Sequence, residues 1–225
     1  MFVYPQRAAF NRILPKNMIY KNAQPSNAVK KRFISEVSEI VWQYKLSKDT
    51  INLAPKDGII EIQVFRINLK SPELSKDILK VIDKAIPYPV FYRLQFEDRI
   101  NRVTTYKRVW DYKRVSSGNT GNCVNCIIED YFETGWMEAK APEIPLPVAL
   151  DLKSLYEQMM VFYIGLPLRD KETIDELVER AQLIHKRQRE LQSLEIKMAR
   201  EKQFNRKVEI NSQIRALRNG LEELQ

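Results

Sequence analysis

Cysteine, histidine and glycine are scarce in this chain. Its 225 residues contain two cysteines, one histidine and six glycines. Two cysteines exclude a disulfide scaffold and fit a reducing compartment. Cys123 and Cys126 form a CxxC in a Gly/Asn-rich stretch. With His185 they supply too few ligands for tetrahedral zinc, so the pair reads as incidental unless a second subunit completes the set. His185 stands beside Lys186 and Arg187 on a helical segment, which excludes the usual base of a nucleophile–histidine–acid triad. No group of glycines forms a phosphate-cradling loop. No metal or cofactor is therefore expected. Long apolar runs are missing as well, and none approaches the roughly 20 residues of a membrane helix. The opening MFVYPQRAAFNRILPK lacks the layout of a signal peptide. The expectation is a cytoplasmic protein with no membrane contact.

What the chain does have is charge sorted by region. Residues 1–116 carry 22 Lys and Arg against 11 Asp and Glu. Residues 117–170 carry 3 against 8, and residues 171–225 carry 12 against 10. A basic body, an acidic stretch and a mixed-charge tail point to a polyanion and a protein partner. The apolar fraction of 44% is that of a folded protein.

The pattern along the chain predicts an α+β fold, with a small, mainly antiparallel sheet and flanking helices. Residues 1–165 form the basic domain and 171–225 a helical coiled-coil arm. Residues 1–25 read as an irregular lead-in with at most one short helix. Ser26 or Asn27 caps a helix whose apolar face runs Val29, Phe33, Val37, Ile40, Val41, Tyr44. Lys48 to Pro55 reads as a connection, with a short strand at Ile51 to Leu53. After the Asp57-Gly58 turn, IIEIQVFRINL is rich in β-branched and aromatic residues and reads as a strand, with a bulge near Phe65. Ser71-Pro72-Glu73 starts the next helix, and Pro87 and Pro89 end it. Val90 to Phe96 and Ile100 to Trp110 form a hairpin, and Ile127 to Met137 a further strand. Asp151 caps a helix that ends near Gly165.

Beyond Pro167 the spacing changes. Thr173 and Glu176 stand at capping-box spacing, and no Gly or Pro occurs between Asp170 and Gly220. The stretch can form one helix of nearly fifty residues, about 70 Å long. Leu177, Ile184, Leu191 and Met198 recur every seven residues along it. Position 184 holds isoleucine, not leucine, and no partner-binding role is assigned there. The apolar seam ends in Ile210, Ile214, Leu217, Leu221 and Leu224 at 4-3-4-3 spacing. Those five are the candidate partner-binding residues. A narrow seam on so long a helix needs a second helix, from another molecule or from this one by a turn near Asn205.

The candidate nucleic-acid-binding residues lie on and after the Ile100 strand. Arg102, Tyr106, Arg108 and Trp110 alternate on one face, with Lys107, Lys113 and Arg114 close by. Cations interleaved with aromatics suit phosphate contact with stacking. The bland alternative is a solvated outer face. Glu61 and Gln63 raise a nuclease alternative, because a metal-dependent nuclease places Glu-x-Lys on such a strand and a second acid on the preceding one. Here Gln63 replaces the lysine and Asp57 is too near for a separate strand, so Glu61 is expected to pair with a basic neighbour.

Several segments together, NRILPK, TINLAPKDGIIEIQVFRINLK, IDKAIPYPVFYRLQF, the patch from Tyr131 to Trp136, and EKQFNRKVEIN, resemble a bacterial domain-of-unknown-function family. The resemblance spans nearly the whole chain and carries no settled active site. It implies encoding beside helicases and DNA methyltransferases in restriction-like or phage-defence loci. The resulting expectation is a non-catalytic accessory subunit that touches DNA or RNA with its basic domain. Its arm would dock on a helicase or methyltransferase subunit, or on a second copy of itself. A divergent metal-dependent nuclease and a pure protein adaptor are the alternatives.

Overall fold

The computed structural model describes residues 2–109, 126–140, 142 and 144–225, with backbone alone for 107–109 and 126–129. It divides into two compact units, Met1–Gly165 and Leu166–Gln225.

The first unit is a mixed α/β structure built on a six-stranded sheet. The strands are β2 (Ala9–Ile13), β3 (Val37–Ser47), β4 (Glu61–Leu69), β5 (Val90–Phe96), β6 (Arg99–Val109) and β7 (Cys126–Glu138). They lie side by side in chain order. Every neighbouring pair is antiparallel except β4 and β5. That parallel pair needs a crossover, which helix α4 (Lys76–Ala85) provides. A separate two-stranded parallel ribbon joins β1 (Phe2–Val3) to β8 (Ile144–Pro145). Helices α1 (Lys16–Ala23), α2 (Asn27–Glu36) and the single turn α3 (Lys48–Ile51) complete the first half.

Because side chains alternate along a strand, each face of the sheet needs its own cover. One face packs with Ile19 of α1, Phe33 of α2 and Ile78, Leu79 and Ile82 of α4. Its strands contribute Ile40, Phe65, Ile67, Tyr92, Leu94 and Val103 to the same core. Lys16 reaches across and donates to the carbonyls of Phe33 (2.9 Å) and Val37 (2.7 Å) at the end of α2, where the Phe33 carbonyl also accepts from the Val37 N–H. The opposite face meets helix α5 (Leu152–Ile164), with the Phe91 ring packed on Tyr156 and Tyr163. Asp151 and Ser154 form a capping box at the start of α5, and Gly165 ends it at φ +73°, a conformation costly for a residue with a Cβ.

The helix expected to carry Val29 through Tyr44 stops at Glu36, and residues 37–47 are a central strand. The physical reason is two register shifts in β3, at Val37/Glu39 and Trp42/Tyr44. Each extra residue turns a period-two pattern into steps of three and four, which imitates a helix. The expected strand at Ile51 to Leu53 is instead the end of α3 and its left-handed cap at Asn52. The α4 start also moves, from Ser71-Pro72 to Ser75, whose N–H donates to Glu36 Oε2 at 2.7 Å.

The second unit is a helical hairpin, not a continuous arm. Helix α6 (Ile174–Arg200) ends before Glu201, and helix α7 (Phe204–Glu222) runs back along it. Glu201 Oε1 accepts from the N–H groups of Lys202 and Gln203 and stabilises the break. Three arginines close the other end by donating to carbonyls that the end of α7 leaves open: Arg180 to Leu224 (2.9 Å), Arg187 to Gly220 (2.7 Å) and Arg169 to Glu223 (2.7 Å). A Cβ on Gly220 would lie 2.6 Å from Arg187 Nη1, so glycine is what permits this approach. Arg180 is itself buried and paired with Glu172 at 2.7 Å.

The apolar seam is accounted for position by position. Ile210, Ile214 and Leu221 are buried, and Leu217 and Leu224 half-buried. On α6, position 184 carries isoleucine where a leucine seam would continue, and Ile184 is buried like Leu177 one heptad before it. Position 184 therefore offers neither a leucine nor an open surface to a partner. The seam expected to await a second molecule is covered largely within the hairpin, by a turn a few residues before the one considered at Asn205. No helix among the described residues is long and apolar enough to cross a membrane.

Candidate anion-binding site

Three strands each bring an arginine to the same row of the sheet. Arg66 of β4 stands directly opposite Arg93 of β5, and Arg93 directly opposite Arg102 of β6. Residues directly opposite share a face. Here it is the α5 face, because Arg102 Cζ lies 6.0 Å from the ring centroid of Phe162. The row therefore carries three like charges on neighbouring strands, an arrangement that repels when no anion is present.

Burial sharpens the point. Arg93 is 9% exposed, Arg102 5%, and Arg66 half-buried. Among the described residues no carboxylate forms an ion pair with any of the three, and the Nε atom of each is sealed without a hydrogen-bond partner. Glu39, on the row beside Arg66, accepts instead from Asn68 Nδ2 at 3.1 Å. Buried cations are normally paired, so an unpaired row is an exception that calls for a ligand.

Tyrosines surround the row. Tyr4 stacks on Tyr44 with centroids 4.4 Å apart. Burial pushes the Tyr4 phenol well above its ordinary range, Tyr163 adds to this, and Arg93 and Arg102 oppose it. Burial likewise raises Tyr163 against the pull of Arg102 and Arg93. Both phenols stay neutral and cannot serve as counterions. Burial lowers the pKa of Arg93 below the usual arginine value, with Arg102 contributing in the same direction. On one side of the row, Val64, Phe91 and Thr104 are fully buried; on the other, Asn68 and Gln95 are half-buried and Ile100 is buried. Planar guanidinium forks at this spacing suit the oxygens of a phosphate-type anion.

The sequence-derived residues divide unevenly over this site. Arg102 belongs to it. Arg102 and Tyr106 were expected on an open basic face, yet both are buried, and Tyr106 stacks on Tyr156 of α5 at 5.9 Å. The correction has a simple cause: α5 returns from far along the chain to cover that half of the face. Lys107 and Arg108 lie on β6 opposite Ile128 and Ile127, with side chains outside the described residues. Trp110, Lys113, Arg114 and Cys123 also lie outside the described residues, and Cys126 starts β7 with its side chain outside them. Arg66 and Arg93 escaped sequence reasoning. Their only signal is an arginine flanked by apolar residues, F-R-I and Y-R-L, and no sequence pattern reveals that they share a row with Arg102.

Glu61 behaves as expected of a structural acid. Its carboxylate meets Lys45 Nζ at 2.9 Å and accepts from Gln63 Nε2. The hydrogen bond to Glu61 raises the Lys45 pKa. Among the described residues no group of three His, Cys, Asp or Glu side chains could hold a metal. A second buried acid, Asp83 of α4, accepts from the Tyr131 hydroxyl at 2.6 Å.

A protein-family model described as "Domain of unknown function (DUF4391)" matches residues 2–221. The chain belongs to this family. Comparison with the curated proteins returned no match, and comparison with the solved structures returned none either. The DUF4391 match covers both units, so the arginine row and the hairpin fall within one family domain.

Proposed function

We propose that this DUF4391 protein is a non-catalytic nucleic-acid-binding subunit that grips phosphate through the Arg66–Arg93–Arg102 row. The observation that carries the reading is the row itself: three in-register arginines, two of them buried, with no carboxylate partner among the described residues. The surplus of 22 basic over 11 acidic residues in positions 1–116 supplies the wider field that draws a polyanion in. Attachment to a helicase or methyltransferase complex, through exposed surface of the hairpin, follows from the family resemblance. The engaged Glu61 carboxylate favours the accessory reading over a nuclease.

The test is anisotropy of the full chain with single-stranded and duplex DNA and with RNA across a salt series. Affinity is expected to fall steeply with salt, because phosphate neutralisation releases counterions. The combined variant Arg66→Gln, Arg93→Met, Arg102→Gln is expected to weaken binding across all sequences. Binding that is absent at low salt, or unchanged in this variant with its circular dichroism intact, overturns the proposal.

A further inference from the structure

Resting on that reading, we infer that the arginine row recognises a terminal phosphate monoester, not the phosphodiester backbone. The first argument is charge. The row sets three arginines side by side on neighbouring strands, with no acid at any of the three positions. A monoester near neutral pH brings a charge of about −1.5 to −2 and three terminal oxygens. A backbone diester brings one charge and two free oxygens. The dianion leaves less charge uncompensated, and its third oxygen gives each strand's arginine an acceptor.

The second argument is reach. Adjacent strands lie about 4.8 Å apart, so the row spans roughly 10 Å. An anion opposite Arg93 sits between Arg66 and Arg102, within the length of an arginine side chain from both.

Access is the third argument. The row of Val64, Phe91 and Thr104 closes one side beneath α5. Phe162, Tyr163 and the Tyr4–Tyr44 stack crowd the arginines. The half-buried Asn68 and Gln95 border the remaining side on β4 and β5, and Ile100, 6% exposed, closes it on β6. A diester inside a strand must leave the site in two directions, whereas a terminal phosphate needs one. Exposures of 9% for Arg93 and 5% for Arg102 leave no room for a duplex to lie across them, and the half-buried Arg66, Asn68 and Gln95 mark the side from which a chain end would approach.

The same chemistry could come from a strand end or from a free mononucleotide, and the experiment separates the two. Full-length protein is titrated with otherwise identical labelled oligonucleotides that carry a 5′-phosphate, a 3′-phosphate or hydroxyls at both ends. Adenosine monophosphate and inorganic phosphate are followed in parallel by thermal shift. We expect at least one phosphorylated end to bind about tenfold or more tightly than the hydroxyl-ended strand. Arg93→Met, with intact circular dichroism, is expected to erase that preference and leave the residual salt-dependent binding. Equal affinity for all three oligonucleotides, still salt-dependent and still weakened by the combined variant, sinks the terminal-phosphate inference and leaves the proposed function standing. A thermal shift with adenosine monophosphate, lost in Arg93→Met and accompanied by no oligonucleotide binding, keeps the monoester site and rejects the nucleic-acid role. No oligonucleotide binding and no shift with either phosphate compound overturns both.

Discussion

Removing the middle arginine should make the first unit more stable. Arg93 is 9% exposed, stands opposite Arg66 on one side and Arg102 on the other, and has no ion pair among the described residues. Two guanidinium groups roughly 6 Å apart repel by about 3 kcal/mol at an effective dielectric constant of 20. Arg102 is the neighbour whose charge bears on Arg93, and splayed side chains and water at the terminal nitrogens reduce that repulsion. Methionine keeps most of the apolar stem that arginine buries and removes the charge. Replacing buried charges by well-packed apolar groups commonly stabilises by about 1–4 kcal/mol. Arg93→Met is therefore expected to add about 1–3 kcal/mol, seen as a rise of roughly 2–10 °C in Tm for a unit of this size. The assay is calorimetry or a circular-dichroism melt in phosphate-free buffer at low ionic strength. Added phosphate should narrow the gap, because an anion that binds only the folded wild-type row stabilises it by mass action. If Arg93→Met melts lower than wild type in the phosphate-free buffer, the like-charge argument is refuted and Arg93 is held by favourable contacts after all.

Two further outcomes concern the second unit. The Glu172 carboxyl is held down to about 2 by the hydrogen bond from Arg180. A depressed folded value means the pair stabilises fully above the ordinary 4.5 and loses that contribution as the pH falls through about 2. Helical dichroism should therefore decline over that window, and more shallowly in Arg180→Gln, which should also cost about 2–3 kcal/mol at neutral pH; an identical acid profile in the variant counts against the pair. Ile214 is 2% exposed, so Ile214→Ala should cost about 2–4 kcal/mol and speed amide exchange in both α6 and α7. Phe204→Ala, at a site 77% exposed, is the control expected to change little; equal effects of the two would refute the hairpin packing.

Much of the local structure was legible because its signals are local. The cap at Asp151 and the capping-box spacing at Thr173 mark helix starts within a residue of where α5 and α6 begin. Alternation alone delimits β5 at Val90–Phe96. Turn chemistry separates β5 from β6, and the Asp57-Gly58 turn precedes β4. The acid at Glu61 was legible as a partner for a cation, although not that Lys45 would be the cation. Where local patterns are ambiguous, the reading went astray. Two bulges in β3 made a strand look helical. Nothing between Asp170 and Gly220 announces a stop, yet the chain turns at Glu201–Gln203 and covers its own seam.

The candidate site shows where local information ends. Composition and local pattern are enough to show that residues 1–116 are basic and that Arg66 and Arg93 each interrupt a run of apolar residues. That Arg66, Arg93 and Arg102 stand side by side is a matter of tertiary structure, because strand register is settled by pairing between positions up to 27 apart in the chain. So is the covering of part of their face by α5, since a helix chooses its docking surface by the apolar area it can bury there. A lone arginine in a strand is an ordinary surface charge. Three in register and half enclosed become a place for an anion, and that property belongs to the fold.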